Sequence, residues 1–320
     1  MKYRHLGRTA LKVSELCLGT MNFGPRTNEP DSHALLDAAI ELGINFVDTA
    51  NQYGGDCGVG TTETILGNWL ARDPARRNRI VLATKVHEPM SADVNDRGLS
   101  ARHIIMACEA SLRRLRVDHI DLYQFHHIDR TAPMDEIWQA VDRLIAQGKI
   151  IYAGSSNFPG WKIAQACETA KAGHRLGLVA EQSLYNLVER RAELEVIPAC
   201  AEYGLGVLAW SPLAGGLLAG AGDMGERRRS SHIGDARAAR GEQLARFEAL
   251  CRDLGEAPGA VALAWTLHQP GVTSAIIGPR TVEQLTTVGH VPGLTLTPEV
   301  LARLDAIFPP CGPAPEAYAW

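Results

Sequence analysis

"INFVDTANQYG", residues 44–54, is a short apolar run that passes directly into a carboxylate, Asp48, and five residues later reaches a phenol, Tyr53. Two polar groups just past a strand are either loop decoration or the start of a catalytic site, and the surrounding chain decides between them. Upstream lies "DSHALLDAAIELG" (31–43), where Leu35, Leu36, Ala39 and Ile40 share one helical face and Gly43 suits the C-terminal stop. Downstream, residues 61–71 again carry helical period. The run is therefore a strand between two helices.

The same alternation continues along the chain. After an N-terminal hairpin over residues 2–13, the pattern predicts eight strands: "ELCLG" (15–19), "NFVDT" (45–49), "IVLATK" (80–85), "IDLYQFH" (120–126), "IIYAGS" (150–155), "GLVAEQ" (177–182), "GVLAWS" (206–211) and "TSAIIG" (273–278). Helices are expected near 31–43, 61–71, 101–115, 134–147, 160–172, 192–203, 241–269 and 281–289. A strand returned by a helix rather than a tight turn pairs in parallel with its predecessor. Eight such units predict an α/β protein with a closed (β/α)8 TIM barrel over residues 1–320, with an open doubly wound sheet as the alternative. Two segments break the rhythm: a Gly-rich, then basic insertion at 212–240 and a Pro-rich tail at 309–320 that ends in aromatics. Either could cover the mouth of a barrel.

Composition narrows the function. Of 320 residues, 46% are hydrophobic and 21% charged, and 32 Lys plus Arg against 36 Asp plus Glu leave a formal charge of -4. No basic field covers the sequence as a whole, so nucleic acid is not an expected partner. There is no run of eighteen apolar residues and no signal-peptide pattern, so no membrane is expected either. Seven cysteines without a CxxC pair fit reduced thiols in a cytoplasm. The sequence is silent on oligomeric state.

A barrel carries its chemistry at the C-terminal ends of its strands. Reading only those positions collects Asp48, Lys85, His126, Ser156, Asn157, Gln182, Trp210, Ser211 and Arg280. If Asp48, Tyr53, Lys85 and His126 meet, they suit delivery of a proton to a carbonyl oxygen. A lysine ammonium would stabilise the phenolate and pull its pKa down, the aspartate would hold the ammonium, and a neutral imidazole would orient the carbonyl. Such a site asks for a hydride source at the carbonyl carbon. Taken one at a time, each has a plainer reading: Asp48 as a loop cap, Tyr53 as a surface aromatic, Lys85 as a strand-end lysine, His126 beside His127 as metal ligands. No HxH or HExxH spacing supplies further ligands, and no metal is expected. "GAGDMG" (220–225) satisfies GxGxxG but lies inside the insertion and opens no clear helix, so a dinucleotide fingerprint is not expected there. The "ERRR" run at 226–229 reads as a solvated loop rather than a clamp on phosphates.

With these residues in place, the chain resembles an aldo-keto reductase from "YRHLGRTALKVSELCLGTMNFG" to about residue 290, through "GINFVDTANQYG", "GTTETILG", "VLATKV", "DHIDLYQFHHID", "GKIIYAGSSNF", "EQSLYN", "GVLAWSPLAGGLL" and "AIIGPRTVEQL". Singly these blocks are weak; in this order they are specific. The resemblance implies a barrel that binds NADPH in extended form and reduces a small-molecule carbonyl, with Asp48, Tyr53, Lys85 and His126 as the tetrad and Tyr53 as general acid. It further implies that Ser156, Asn157 and Gln182 hold the nicotinamide carboxamide and that Trp210 stacks on the ring. Thr20, Ser211, Pro212, Leu213, Gly215 and Gly278 would complete the cofactor wall, Arg280 would meet the 2′-phosphate, and Gln284 the adenosine end. Thr287 and Val288 stand where the family often has Glu-Asn, which leaves the adenine contacts open. Met21, Phe23, Glu88 and His127 are expected to line the substrate pocket. "TMNFGPRT", "DEIWQA" and "SSNFPGWKIAQA" resemble an actinobacterial branch that includes reductases of nucleotide-linked deoxysugars in antibiotic biosynthesis, implying reduction of an aldehyde, ketone or conjugated enone. An NADPH-binding regulatory protein with little turnover is the alternative from another class, and a metal-dependent barrel hydrolase a third.

Overall fold

The computed structural model describes residues 1–220 and 232–314. The "GAGDMG" stretch beyond its first glycine, the "ERRR" run, and Tyr318 and Trp320 of the tail lie outside the described residues.

Eight parallel strands close a barrel: β3 (Leu16–Gly19), β4 (Phe46–Asp48), β5 (Val81–Val86), β6 (Ile120–Phe125), β7 (Ile150–Ser156), β8 (Leu178–Leu184), β9 (Gly206–Trp210) and β10 (Val272–Ile277). The expected closed form holds because β10 pairs with β3, Ala275 opposite Leu16, so the sheet has no free edge. Ahead of the barrel, β1 (Tyr3–His5) and β2 (Lys12–Ser14) form an antiparallel hairpin. Leu6 and Val13 at this hairpin are fully buried among Cys17, Phe46, Val81 and Leu122 inside the barrel. Burial of each contributes about 1.5–3 kcal/mol. The hairpin thus plugs one end, and Gly7 shows how tightly: its φ is +54°, and a Cβ there would meet the Val179 carbonyl oxygen at 2.4 Å.

Helices α1 (Glu29–Glu41), α2 (Thr61–Ala71), α3 (Ala101–Leu115), α4 (Met134–Ala146), α5 (Gly160–Ala172) and α6 (Val196–Tyr203) follow β3 to β8 in turn. Their start signals are local. Ser100 caps α3 by accepting from the His103 amide, and Ile104, Ala107, Cys108, Leu112 and Leu115 form its buried face at three- and four-residue spacing. After β9 come α7 (His232–Ala239), α8 (Gly241–Leu254) and α9 (Pro258–His268), and after β10 come α10 (Val282–Val288) and α11 (Pro298–Ile307).

Two helical expectations change. The stretch 241–269 is two helices, because Gly255 takes a left-handed φ of 70° to end α8 and Pro258 opens α9. The helix α11 was not expected; Thr297 caps it through the Val300 amide, Pro298 begins it, and Val300, Leu304 and Ile307 bury one face.

The strands are apolar at consecutive positions because each is covered on both sides, by helices outside and by its neighbours' side chains within. β5 buries all six of its residues. Alternation still operates within each strand, so residues two apart share a face. Phe46 of β4, Val81 and Ala83 of β5, Leu122 of β6 and Ala180 of β8 fill the interior. The next inward positions are Asp48, Lys85, Gln124 and Gln182, all polar and all buried.

Candidate active site

At the end of the barrel opposite the hairpin lies a cavity of about 570 Å³. Its floor is the polar layer just described. The Lys85 side chain is fully buried, and its Nζ uses three donors: to Asp48 Oδ2 at 2.5 Å, to the Thr49 carbonyl at 2.9 Å and to the Tyr53 hydroxyl at 3.3 Å. Burial alone would depress the Lys85 pKa, yet Asp48 and Tyr53 outweigh it, and the ammonium is held above its ordinary value. Asp48 is oriented from three sides. Thr20 binds its carbonyl through both Oγ1 and the backbone amide at 3.0 Å, and Gln124 and Gln182 donate to Oδ1 at 3.0 and 2.9 Å.

Tyr53 lines the cavity with its hydroxyl at the ammonium. Here the electrostatics correct an expectation. Burial raises the phenol's pKa, Lys85 opposes and Asp48 adds to the rise, and the net value is above the ordinary one. Lys85 therefore lowers the phenol's pKa only relative to what desolvation would impose, and Tyr53 carries its proton throughout the neutral range. His126, one residue past β6, sets its ring edge-on to Tyr53 with centroids 5.8 Å apart. Burial first, then Lys85, His127 and His87, push the His126 imidazole down to about 2, so the ring is neutral. Neither ring nitrogen bonds to a described residue, and Nδ1 is buried.

On the His126 side, the His127 ring stacks at 5.0 Å and 14° on that of His126. Glu88 Oε1 lies 3.4 Å from His127 Nε2 and 3.2 Å from His87 Nδ1. Met21 is 59% exposed on the rim. Phe23 corrects the expected substrate wall: it is fully buried in the main core and does not line the cavity. The turn closed by the Phe23 amide on the Thr20 carbonyl carries it away from the mouth, and Thr62 of α2 binds its carbonyl at 3.0 Å.

A second set of polar groups continues from Gln182. Ser156 Oγ donates to the Gln182 carbonyl at 2.9 Å, and Asn157, at a left-handed φ of 58°, donates to the His126 carbonyl at 3.1 Å. Asn157 Oδ1 accepts from Trp210 Nε1 at 3.0 Å, which fixes the indole in the cavity wall. Beyond Trp210 the backbone changes hand repeatedly, with φ of 51° at Ser211, 49° at Ala214, 67° at Gly215 and 102° at Gly216. This turn, with Pro212 and Leu213, brings main chain rather than bulk to the cavity. Gly278 faces the same space; a Cβ on it would come 3.2 Å from Asn22 Nδ2, which donates to the Gly278 carbonyl at 2.9 Å. Arg280 and Gln284 line the cavity too, and Gln284 Oε1 caps the Arg280 amide at 2.9 Å. Amides and hydroxyls at one end, an anchored indole, a turn of exposed backbone, and an arginine fit an extended dinucleotide in chemical order.

Sequence reasoning missed several contributors. Gln124 carried a signal, a polar residue two before His126 in an apolar strand. Arg26 and Gln52 line the cavity itself, as do Gly259, Ala260 and Leu263 of α9, where small and apolar residues give no chemical signal. Among the described residues, no group of three or more His, Cys, Asp or Glu side chains is placed to hold a metal ion, and no helix is long and apolar enough to cross a membrane.

Comparison with known proteins bears on this arrangement. The model of the Aldo/keto reductase family matches residues 15–308. A Bacillus subtilis (strain 168) protein named "Uncharacterized oxidoreductase YrpG" is 50% identical over 333 aligned positions, covering 100% of both chains. A protein of Oryza sativa subsp. japonica named "Probable voltage-gated potassium channel subunit beta" is 32% identical over 323 positions, covering 96% of each.

Proposed function

The chain belongs to the aldo/keto reductase family and is an oxidoreductase, and on that premise we propose that it reduces a carbonyl compound with NADPH, using Tyr53 as the proton donor. The observation that carries this reading is the Tyr53 hydroxyl, protonated and cavity-facing, 3.3 Å from an ammonium that is itself paired with Asp48 at 2.5 Å. NADPH, when bound, supplies a hydride to the carbonyl carbon. Tyr53 breaks its O–H bond as the carbonyl oxygen gains that proton, and Lys85 stabilises the phenolate left behind. The neutral His126 ring holds the carbonyl oxygen in line with Tyr53. Hydride and proton together complete a two-electron reduction to the alcohol; with a conjugated enone, hydride at the β-carbon and the Tyr53 proton on the oxygen give an enol, which tautomerises to the saturated ketone.

Ser156, Asn157 and Gln182 would hold the carboxamide and Trp210 the ring, with the 211–216 turn along the pyrophosphate. Arg280 favours NADPH over NADH, since a guanidinium can donate two parallel hydrogen bonds to a 2′-phosphate. For the substrate we favour a nucleotide-linked keto-deoxysugar of antibiotic biosynthesis. In support, Glu88 and His127 offer hydroxyl-binding groups beside His126. Seven free thiols favour a cytoplasmic setting.

The test is a panel of aldehydes, ketones and keto sugars followed by loss of NADPH absorbance, run on wild type and Tyr53→Phe. Activity that survives in Tyr53→Phe removes the assignment. The rice relative's name favours a second reading, a regulatory subunit that binds NADPH and turns over slowly. Stopped-flow mixing of the NADPH complex with a reactive aldehyde separates the two, because a regulator leaves the bound cofactor reduced.

A further inference from the structure

In the polar layer that floors the cavity lies a side chain to which the reductase reading gives no role. Gln124 is fully buried on β6, in register opposite Lys85 of β5. Its Nε2 donates to Asp48 Oδ1 at 3.0 Å, and its Oε1 accepts from Gln182 Nε2 at 3.3 Å. Gln182 Nε2 also donates to Asp48 Oδ1 at 2.9 Å. Side chains from β4, β6 and β8 therefore close a hydrogen-bonded ring.

The ring removes two freedoms. A carboxylate can turn about its Cβ–Cγ bond, and two donors on Oδ1 stop that turn, leaving Oδ2 aimed at the Lys85 ammonium. A terminal amide can flip, exchanging donor for acceptor. With both Gln182 amide hydrogens directed at Asp48 and Gln124, Oε1 is the polar atom left for the cavity, and it accepts from no described residue. A carboxamide NH2 needs such an acceptor.

We infer that Gln124 is a positioning residue that locks Asp48 to Gln182, so that the proton-donating end of the site and the carboxamide-reading end are held in one geometry. The inference rests on the reductase reading above. It is specific to the amide: a leucine of similar size fills the space but supplies neither donor nor acceptor. A protonated glutamate supplies both, donating to Asp48 and accepting from Gln182. Once ionised, that glutamate faces the Asp48 carboxylate, and the like charges repel.

The experiment measures NADPH binding by quenching of tryptophan fluorescence, and kcat and KM across pH, for wild type, Gln124→Leu and Gln124→Glu, with circular dichroism and thermal unfolding as folding controls. Gln124→Leu is expected to weaken NADPH binding and lower kcat by about tenfold each, the scale of a lost buried hydrogen bond to a charged group. Gln124→Glu is expected to approach wild-type kcat at low pH and to gain a falling limb as pH rises through a range where wild type is flat. A merely structural glutamine would give no such limb. If Gln124→Leu does not fold, the pH profile of Gln124→Glu decides alone. Profiles that superimpose, or a folded Gln124→Leu within twofold of wild type in both binding and kcat, overturn the inference while wild-type activity stands. A wild type that neither binds NADPH nor reduces any carbonyl removes the reductase reading, and the inference with it.

Discussion

Lys85 and Tyr53, 32 positions apart in the chain, place ammonium nitrogen and phenol oxygen 3.3 Å from each other in a buried layer, and the same nitrogen holds Asp48 at 2.5 Å. In water such a pair would compete with solvent. Here the Lys85 nitrogen is sealed from it, so the charge states of the ammonium and the phenol are set by each other and by Asp48.

Replacing Tyr53 with phenylalanine removes the proton donor and leaves the ring. The expected loss in kcat is about 10²–10⁴-fold, the usual scale for a positioned general acid. NADPH affinity, read by fluorescence quenching, should stay within a few-fold, which separates a chemical defect from a binding one.

Lys85→Met tests the buried pair. It leaves the Asp48 carboxylate, 3% exposed, without its cation. Breaking such a pair from one side costs about 3–5 kcal/mol. A urea melt at neutral pH should show it as a lower midpoint, with activity lost alongside.

The pH dependence has a defined sign. Reduction needs Tyr53 protonated, and its pKa stands above the ordinary phenol value of about 10. Loss of reductase activity on the alkaline side should therefore begin only above that range. His126, pushed down to about 2, stays neutral from mildly acidic to alkaline pH and should contribute no acidic limb. A limb near the ordinary histidine pKa that disappears in His126→Asn would contradict this.

Glu181 titrates differently. Burial first, opposed by hydrogen bonds from Ser155, Ser183 and the Phe158 amide, raises its pKa to about 7. A folded-state pKa above the unfolded value of about 4.3 means stability is fully present below the latter and is lost as pH rises through about 7. Glu181→Gln should flatten the difference between urea midpoints measured at mildly acidic and mildly alkaline pH.

Phe23→Ala decides between wall and core. A fully buried phenylalanine in the main core predicts a loss of about 3–5 kcal/mol in stability. KM for any carbonyl substrate should change less than twofold at temperatures where the variant is folded.

Much of this molecule was legible before any coordinates. The eight strands stand within about two residues of their expected limits, because apolar runs bounded by turn residues report burial directly. The strand-end reading also collected Asp48, Lys85 and Gln182, and passed over Gln124, which the two-residue period of β6 puts on the same inward face as Leu122. The helix break at Gly255 and Pro258 was written in those two residues and was passed over; the cap at Thr297 and Pro298 was equally readable.

What the sequence by itself determined is the order of elements and the kinds of chemical group at their ends, since both follow from local preference and from the two-residue period of a strand. Only the tertiary structure decided which of those groups touch. Closure of β10 on β3 bends the sheet until Asp48 and Gln182, 134 positions apart, share a hydrogen bond of 2.9 Å. A turn after β3 sent Phe23 into the core while leaving Met21 at the rim. The sign of the Tyr53 shift was settled by depth of burial, which depends on everything packed around the phenol and which no neighbouring residue in the chain reports.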